Sequence, residues 1–321
     1  MSSPLAGRTA LVTGAAGGLG FPTALGLARQ GARVILADRN VAAGEDAARR
    51  IREAGVAGSA EFRTLDLAEL SAIRGFAAAL LAEVPRLDLL INNAGLLPPM
   101  QRASTRDGFE LAFGVAHLGH FALTGLLLPA LLRSDAARVV SLSSISHVGA
   151  TLDFDDLQRE RSYVPTAAYA QSKLATLMFA IELQRRAEAA GWKLLSLAAH
   201  PGISRTGIGA GWNQELRRGF RERLEAAMMV WSMKWFGQSA EQGAESTLYA
   251  ATAPEVIGGG YYGPKGLGQF KGAPALQRPH RRALDSAVQQ RLWQESERLT
   301  GVRYDALRQD LSTPPRSQRP R

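Results

Sequence analysis

The chain contains no cysteine. That absence excludes disulfides, Cys-ligated zinc, iron–sulfur clusters and thiol nucleophiles, and it fits a reducing compartment, so a cytoplasmic location is expected. Long hydrophobic runs are scarce too. No uninterrupted apolar stretch reaches the roughly 18 residues that a membrane span requires. The opening MSSPLAGRTALVTG enters a strand pattern with neither the basic region nor the apolar segment of a secretion signal. Acidic residues are outnumbered, 29 Asp and Glu against 38 Lys and Arg, which leaves a net charge of +9. Much of the excess lies in the last third, at Arg278, Arg281, Arg282, Arg316, Arg319 and Arg321. Nucleic-acid binding is therefore not expected. Residues 312–321, STPPRSQRPR, are too rich in proline and arginine to build a core and read as a disordered basic tail.

What is present is a chain of 321 residues, 46% hydrophobic, long enough to bury a large core. Short aliphatic runs alternate with longer stretches of helical period, the pattern of βαβ units and a parallel sheet. The strand candidates are TALVTG, RVILAD, EFRTLD, LDLLINNAG, ARVVSLSS and LLSLAAHPG. They are apolar almost throughout, so they should be buried on both faces, with helices covering each side. Helices are expected over about 19–30, 41–54, 69–83, 107–133 and 165–190. No linker interrupts them, so residues 1–311 read as one doubly wound α/β domain. The alternation lapses after Gly202, and a last strand is expected at Gly260–Gly263.

The first chemical signal is Thr13-Gly14-Ala15-Ala16-Gly17-Gly18-Leu19-Gly20, between a strand and a helix. Glycines let the backbone turn sharply and approach a pyrophosphate, and the helix start supplies N–H donors and a positive dipole end. A glycine cluster can equally serve only to make a tight turn. The balance moves to cofactor binding because Asp38 ends the next strand, close to the offset of a ribose-binding carboxylate.

The TGxxxGxG spacing resembles the glycine motif of the short-chain dehydrogenases/reductases, whose fold is a Rossmann-like single domain. Further motifs follow in the family's order. Asp66-Leu67 resembles the adenine contact after the third strand, Asn92-Asn93-Ala94-Gly95 the NNAG motif, and Tyr169 with Lys173 the YxxxK motif. Pro201-Gly202 with Thr206 resembles the segment beside the nicotinamide, although Ser204 stands where Val is usual. VAHLGHFALT and the long gap before Tyr169 resemble the retinol-dehydrogenase and protochlorophyllide-reductase branch and its bacterial relatives. The resemblance implies a cofactor site made by Gly14, Ala16, Gly18, Leu19, Gly20, Asp38, Arg39, Asp66, Leu67, Asn93, Ala94, Gly95, Tyr169, Lys173, Pro201, Gly202 and Thr206. It implies hydride transfer between NAD or NADP and a carbonyl or alcohol substrate of apolar character. Asp38 favours NAD, because its charge would repel a 2′-phosphate, with Arg39 able to offset part of that repulsion.

The chemistry needs a group that gives or takes the alcohol proton. A phenol titrates near ~10, so a fixed positive charge must favour phenolate. Tyr169 and Lys173 are four residues apart on a helical stretch, which places them on one face. Lys173 is the expected tuning charge. The resemblance adds a substrate-polarising serine at the end of the fifth strand, mapped to Ser144 with Ser143 as the neighbour that could be confused with it.

One departure stands out. The branch carries Asn just before HLGHF, completing a proton relay, and here that residue is Ala116. Its side chain has no donor or acceptor. Either water fills the gap in a working enzyme, or the chain is an enzyme slowed in proton supply or a nicotinamide-binding regulatory or scaffold protein without turnover. His117 and His120 are read as structural. His200 has no HxxxH or HExxH partner, so no metal is expected. No GxSxG elbow surrounds Ser144, which argues against a hydrolase. The substrate-loop region of about 204–237 includes Met228–Phe236, rich in Met and Trp. It offers a lid, the interface of a homodimer, or a core helix.

Overall fold

A computed structural model describes residues 3–204 and 238–304. Thr206, Met228–Phe236 and the basic tail lie outside these residues. The described elements run β1 (Thr9–Thr13), α1 (Gly20–Arg29), β2 (Arg33–Asp38), α2 (Val41–Glu53), β3 (Ser59–Thr64), α3 (Leu70–Glu83) and β4 (Leu89–Asn92). They continue with α4 (Leu111–Phe113), a π-helical turn (Gly114–Gly119), α5 (His120–Leu131), β5 (Ala137–Leu142), α6 (Pro165–Ala190) and β6 (Leu194–Ala199). After the undescribed stretch come α7 (Ala240–Thr252), β7 (Tyr261–Pro264), β8 (Pro274–Gln277) and α8 (Ser286–Thr300).

The strands form one sheet in the order β3-β2-β1-β4-β5-β6-β7-β8. All neighbours are parallel except β7 and β8, which are antiparallel. The strand period of two divides each apolar run between two cores. Leu11, Ile35, Leu90 and Val139 face a layer made by α3, α5, α6 and α8 through Ile73, Phe121, Phe179 and Trp293. Ala10, Val12, Val34, Leu36, Ile91 and Val140 face α1, α2 and α7 through Leu27, Ile51 and Ala250. Continuous apolar strands are thus explained by two covered faces.

Two expectations need correction. The helix expected over 107–133 starts later and is not uniform. The Glu110 carboxylate accepts from the amides of Ala112 and Phe113, capping the helix there, and the π-helical turn interrupts it at Gly114–Gly119. The same stretch also corrects the reading that no apolar run attains span length. Leu111–Leu131 covers 21 residues at mean hydropathy 1.6, its glycines, histidines and threonine only breaking the run. In the fold 89% of its apolar window is buried, as expected of a core helix.

The order of β1, between β2 and β4, reverses the winding of the sheet. Loops at the carboxyl ends of β1 and β4 therefore diverge and leave a crevice, where ligands bind in open α/β sheets.

Candidate active site

That crevice is a cavity of about 700 Å³. It is lined by Gly14, Gly18, Leu19, Asp38, Arg39, Asp66, Leu67, Asn93, Ala94, Gly95, Ser143, Ser144, Tyr169, Lys173, Pro201 and Gly202. Of the expected cofactor residues described here, only Ala16 and Gly20 are not on its wall. Both shape the turn from behind. The Ala16 amide donates to Asp38 Oδ2 at 3.1 Å. A Cβ on Gly20 would lie 2.1 Å from the Gly14 carbonyl oxygen, so the turn closes only around glycine.

The residues fit a dinucleotide on observations of the turn itself. Gly17 and Gly18 have no atom within 4 Å of where a Cβ would stand, so the backbone there faces open cavity that a side chain would fill. Gly14 adopts φ +63°, and a Cβ on it would come within 2.8 Å of Ala94 Cα. This close approach joins the first turn to the loop after β4. Asn93 reinforces the joint, its side-chain amide donating to the carbonyls of Thr13 at 2.7 Å and Gly14 at 3.2 Å. Asn92, the first residue of that motif, turns inward and bonds Thr124. Asp66 caps its own loop by accepting from the Ala68 amide.

At the other end of the cavity, Tyr169 and Lys173 share one face of α6. Burial raises the Tyr169 phenol above its ordinary range, and the nearby Ser144 hydroxyl pulls the other way. Burial lowers Lys173 to about 8. Its Nζ donates to the Leu142 carbonyl at 2.9 Å and sits 5.8 Å from the Tyr169 ring centre. Burial is the leading cause for both groups and holds each toward its neutral form.

Ser143 and Ser144 separate by their partners. The Ser143 hydroxyl donates to the Lys173 carbonyl at 2.8 Å, bracing β5 against α6. The Ser144 hydroxyl stays on the cavity wall with Tyr169, donating to the Ser146 hydroxyl at 3.2 Å, and its carbonyl is gripped by His147 through Nδ1 at 2.7 Å and the amide at 3.2 Å.

A sequence profile for short chain dehydrogenases matches residues 8–217. The chain belongs to the short-chain dehydrogenase family. It is 41% identical over 307 residues to human retinol dehydrogenase 13, covering 94% of this chain and 87% of that one. It is 42% identical over 306 residues to mouse polyprenol dehydrogenase, covering 93% and 85%. Among solved structures it resembles an uncharacterised protein from Mycobacterium paratuberculosis, with TM-score 0.75, 41% identity and coverage of 94% and 96%. This dehydrogenase is an NAD(P)-dependent oxidoreductase of the retinol dehydrogenase-like branch, and its single parallel-dominated sheet is the Rossmann-like fold.

Several residues of the site were not legible in sequence. Leu65, Leu96, Leu97, Val115, Ile145, Ser146 and Ile203 also line the dehydrogenase cavity. All but Val115, which lies in the π-helical turn, follow strand ends, which is the signal that could have found them. Thr13 opens the glycine motif, but its spacing does not reveal that its hydroxyl works beneath the turn. It accepts from the amides of Asn93 and Ala94, each at 3.0 Å. His200 is wholly buried, packs against Tyr261 and accepts from the Gly202 amide.

Proposed function

We propose that the protein interconverts an apolar alcohol and its carbonyl compound, with Tyr169 as acid/base, Ser144 as the group that polarises the substrate oxygen, and Lys173 as the charge beneath the ribose. The carrying observation is that Ser144, Tyr169 and Lys173 stand together on the wall of the cavity that also holds the glycine-rich turn. When bound, the nicotinamide cofactor supplies or accepts the hydride. Tyr169 lies where it can pass its hydroxyl proton to a substrate oxygen. Its raised phenol is protonated at neutral pH, the form that serves carbonyl reduction. Lys173 holds positive charge at the same end and favours the phenolate left behind.

An apolar substrate is supported by the apolar side chains of Leu97, Ile145 and Ile203 on the cavity wall. The names of the relatives, retinol and polyprenol dehydrogenases, point to long apolar alcohols as the class. NAD is the proposed cofactor, since the Asp38 carboxylate lines the cavity where the adenosine ribose would lie. A second reading, cofactor binding without turnover, draws on Ala116 alone. The juxtaposed Ser144, Tyr169 and Lys173 speak against it.

The test is oxidation of NADH or NADPH, followed by absorbance, against apolar aldehydes and ketones of increasing chain length beside small polar ones. Turnover that rises with apolar length is expected. Cofactor binding without turnover of any substrate would support the second reading.

A further inference from the structure

His120 is wholly buried at the first turn of α5 and is not on the cavity wall. Its ring nevertheless touches both halves of the site. Nδ1 lies 3.0 Å from the Ala116 carbonyl oxygen, and Nε2 lies 2.8 Å from the Thr13 hydroxyl. A carbonyl only accepts, so Nδ1 must carry the ring proton. In a neutral ring Nε2 is then bare and must accept. Thr13 Oγ already receives the amides of Asn93 and Ala94, which fill its two lone pairs. Its own hydrogen is free to point at Nε2, the nearer of two acceptors, with the Ile91 carbonyl at 3.3 Å. Every donor along this path meets an acceptor under one assignment of protons.

The far end of the path reaches the chemistry. The Ala94 amide is fixed on Thr13, and the next residue, Gly95, lies so close to Lys173 that a Cβ there would be 3.1 Å from Nζ. The near end is the π-helical turn at Ala116. The Thr176 hydroxyl lies 3.1 Å from the same carbonyl but has a nearer acceptor in the Ser172 carbonyl at 2.9 Å. His120 is thus the donor that holds the backbone of a residue whose side chain offers none.

We propose that His120 is a positioning residue, locked as the neutral Nδ1–H tautomer, which ties the Ala116 turn to Thr13 and so holds Asn93-Ala94-Gly95 at the distance from Lys173 that the nicotinamide end of the site requires. The neighbours that face the ring electrostatically are His117 and Lys173. Both oppose a second positive charge, and burial lowers His120 to about 4. His117 carries the opposite tautomer: Ser296 gives its hydrogen to the Leu292 carbonyl at 2.7 Å, so His117 Nε2 donates to Ser296. The two adjacent histidines are therefore distinguishable by protonation alone.

This role rests on the reading of the cavity as a nicotinamide site, and two measurements keep the failures apart. The first needs no cofactor. In protein labelled with ¹⁵N-histidine, the His120 signals, assigned by their loss in His120→Gln, should show a protonated Nδ1 and a bare Nε2 from pH 8 to pH 5. Thr13→Val should shift Nε2 and leave Nδ1 nearly unchanged. A protonated Nε2, or titration near the ordinary 6.5, would overturn the proposal.

The second measurement is NADH and NADPH affinity by fluorescence. His120→Ala should weaken binding by about tenfold, the scale of a lost buried hydrogen bond, and Thr13→Val by at least as much because it also releases the Asn93 and Ala94 amides, with no loss in the double variant beyond that of Thr13→Val. Gln at 120 keeps an acceptor near the Nε2 position, and Asn keeps a donor near Nδ1. His120→Gln should recover most of the affinity while His120→Asn does not, a distinction that mere packing would not make. Equal affinities in these two variants, or additive losses in the double variant, would refute the proposal. If wild type binds neither cofactor while the tautomer is as stated, it is the nicotinamide reading that fails.

Discussion

The Ala16 amide and the Asp38 carboxylate are joined across 3.1 Å, so the glycine-rich turn after β1 is tied to the end of β2 by the group expected to select the cofactor. Asp38 also accepts from the Asn40 amide at 3.0 Å, which holds both carboxylate oxygens in place. A fixed negative charge on the cavity wall opposes a 2′-phosphate. NAD is expected to be used more efficiently than NADP, and Asp38→Asn should move the kcat/KM ratio toward NADP by about tenfold or more, since charges about 4 Å apart repel by a few kcal/mol at intermediate dielectric. A native preference for NADP, with Arg39→Ala abolishing it, would show that Arg39 outweighs Asp38.

Gly17 provides a test of the cradle that leaves the fold alone. Nothing lies within 4 Å of a Cβ there. Gly17→Val should change the unfolding midpoint little, within the roughly 0.5 kcal/mol common for surface sites, and still weaken cofactor binding at least tenfold. Undiminished binding in a stable variant would place the dinucleotide elsewhere.

Acid should destabilise this protein through histidines far from its surface. Burial lowers His117 to about 3, His120 to about 4 and His200 to about 3. An unfolded histidine binds its proton near pH 6.5, so below that value the unfolded chain takes up protons that the folded one refuses. The stabilising contribution of the neutral rings is complete above pH 6.5 and declines as pH falls toward the folded values. Each ring adds a slope of up to about 1.4 kcal/mol per pH unit. Urea unfolding between pH 7.5 and 5 should show a falling midpoint, less steep in His117→Gln. A flat profile would contradict the neutral assignments.

Ala116→Asn should not restore a missing relay. The Ala116 carbonyl is already taken by His120, and the residue is 2% exposed. A larger side chain must displace packed neighbours at a cost of about 1–3 kcal/mol. Turnover is expected to stay level or fall, with cofactor affinity little changed if the fold tolerates the insertion. A raised turnover with an altered pH profile would mean that proton supply limits the native enzyme.

The parallel sheet was legible because burial on two faces leaves its mark on every residue of a strand, as in ALV of β1 and VIL of β2. β8 was not legible. Pro274–Gln277 lies at the sheet edge, only partly buried, and carries no such run. The π-helical turn was equally hidden, because its altered hydrogen-bond spacing leaves the apolar composition of Gly114–Gly119 unchanged. At the site, motif residues facing the cavity could be named from their spacing. Thr13, His120 and His147 could not, since each acts through a partner distant in sequence: Thr13 on Asn93, His120 on Thr13, His147 between Ser144 and the His280 amide. The choice of Ser144 over Ser143 also needed three dimensions, because only the structure shows that Ser143 is committed to the Lys173 carbonyl.

The most direct test of the reading as a whole is the turnover of Tyr169→Phe beside wild type, on the best apolar substrate, with cofactor affinity measured on the same samples. Phenylalanine keeps the ring and removes only the hydroxyl that shares the cavity wall with Ser144. Turnover should fall by about 10²–10⁴-fold, the usual worth of a general acid or base, while cofactor affinity stays within a factor of about two. Near-normal turnover in the variant would contradict the assignment of Tyr169 and, with it, the proposed chemistry of the site.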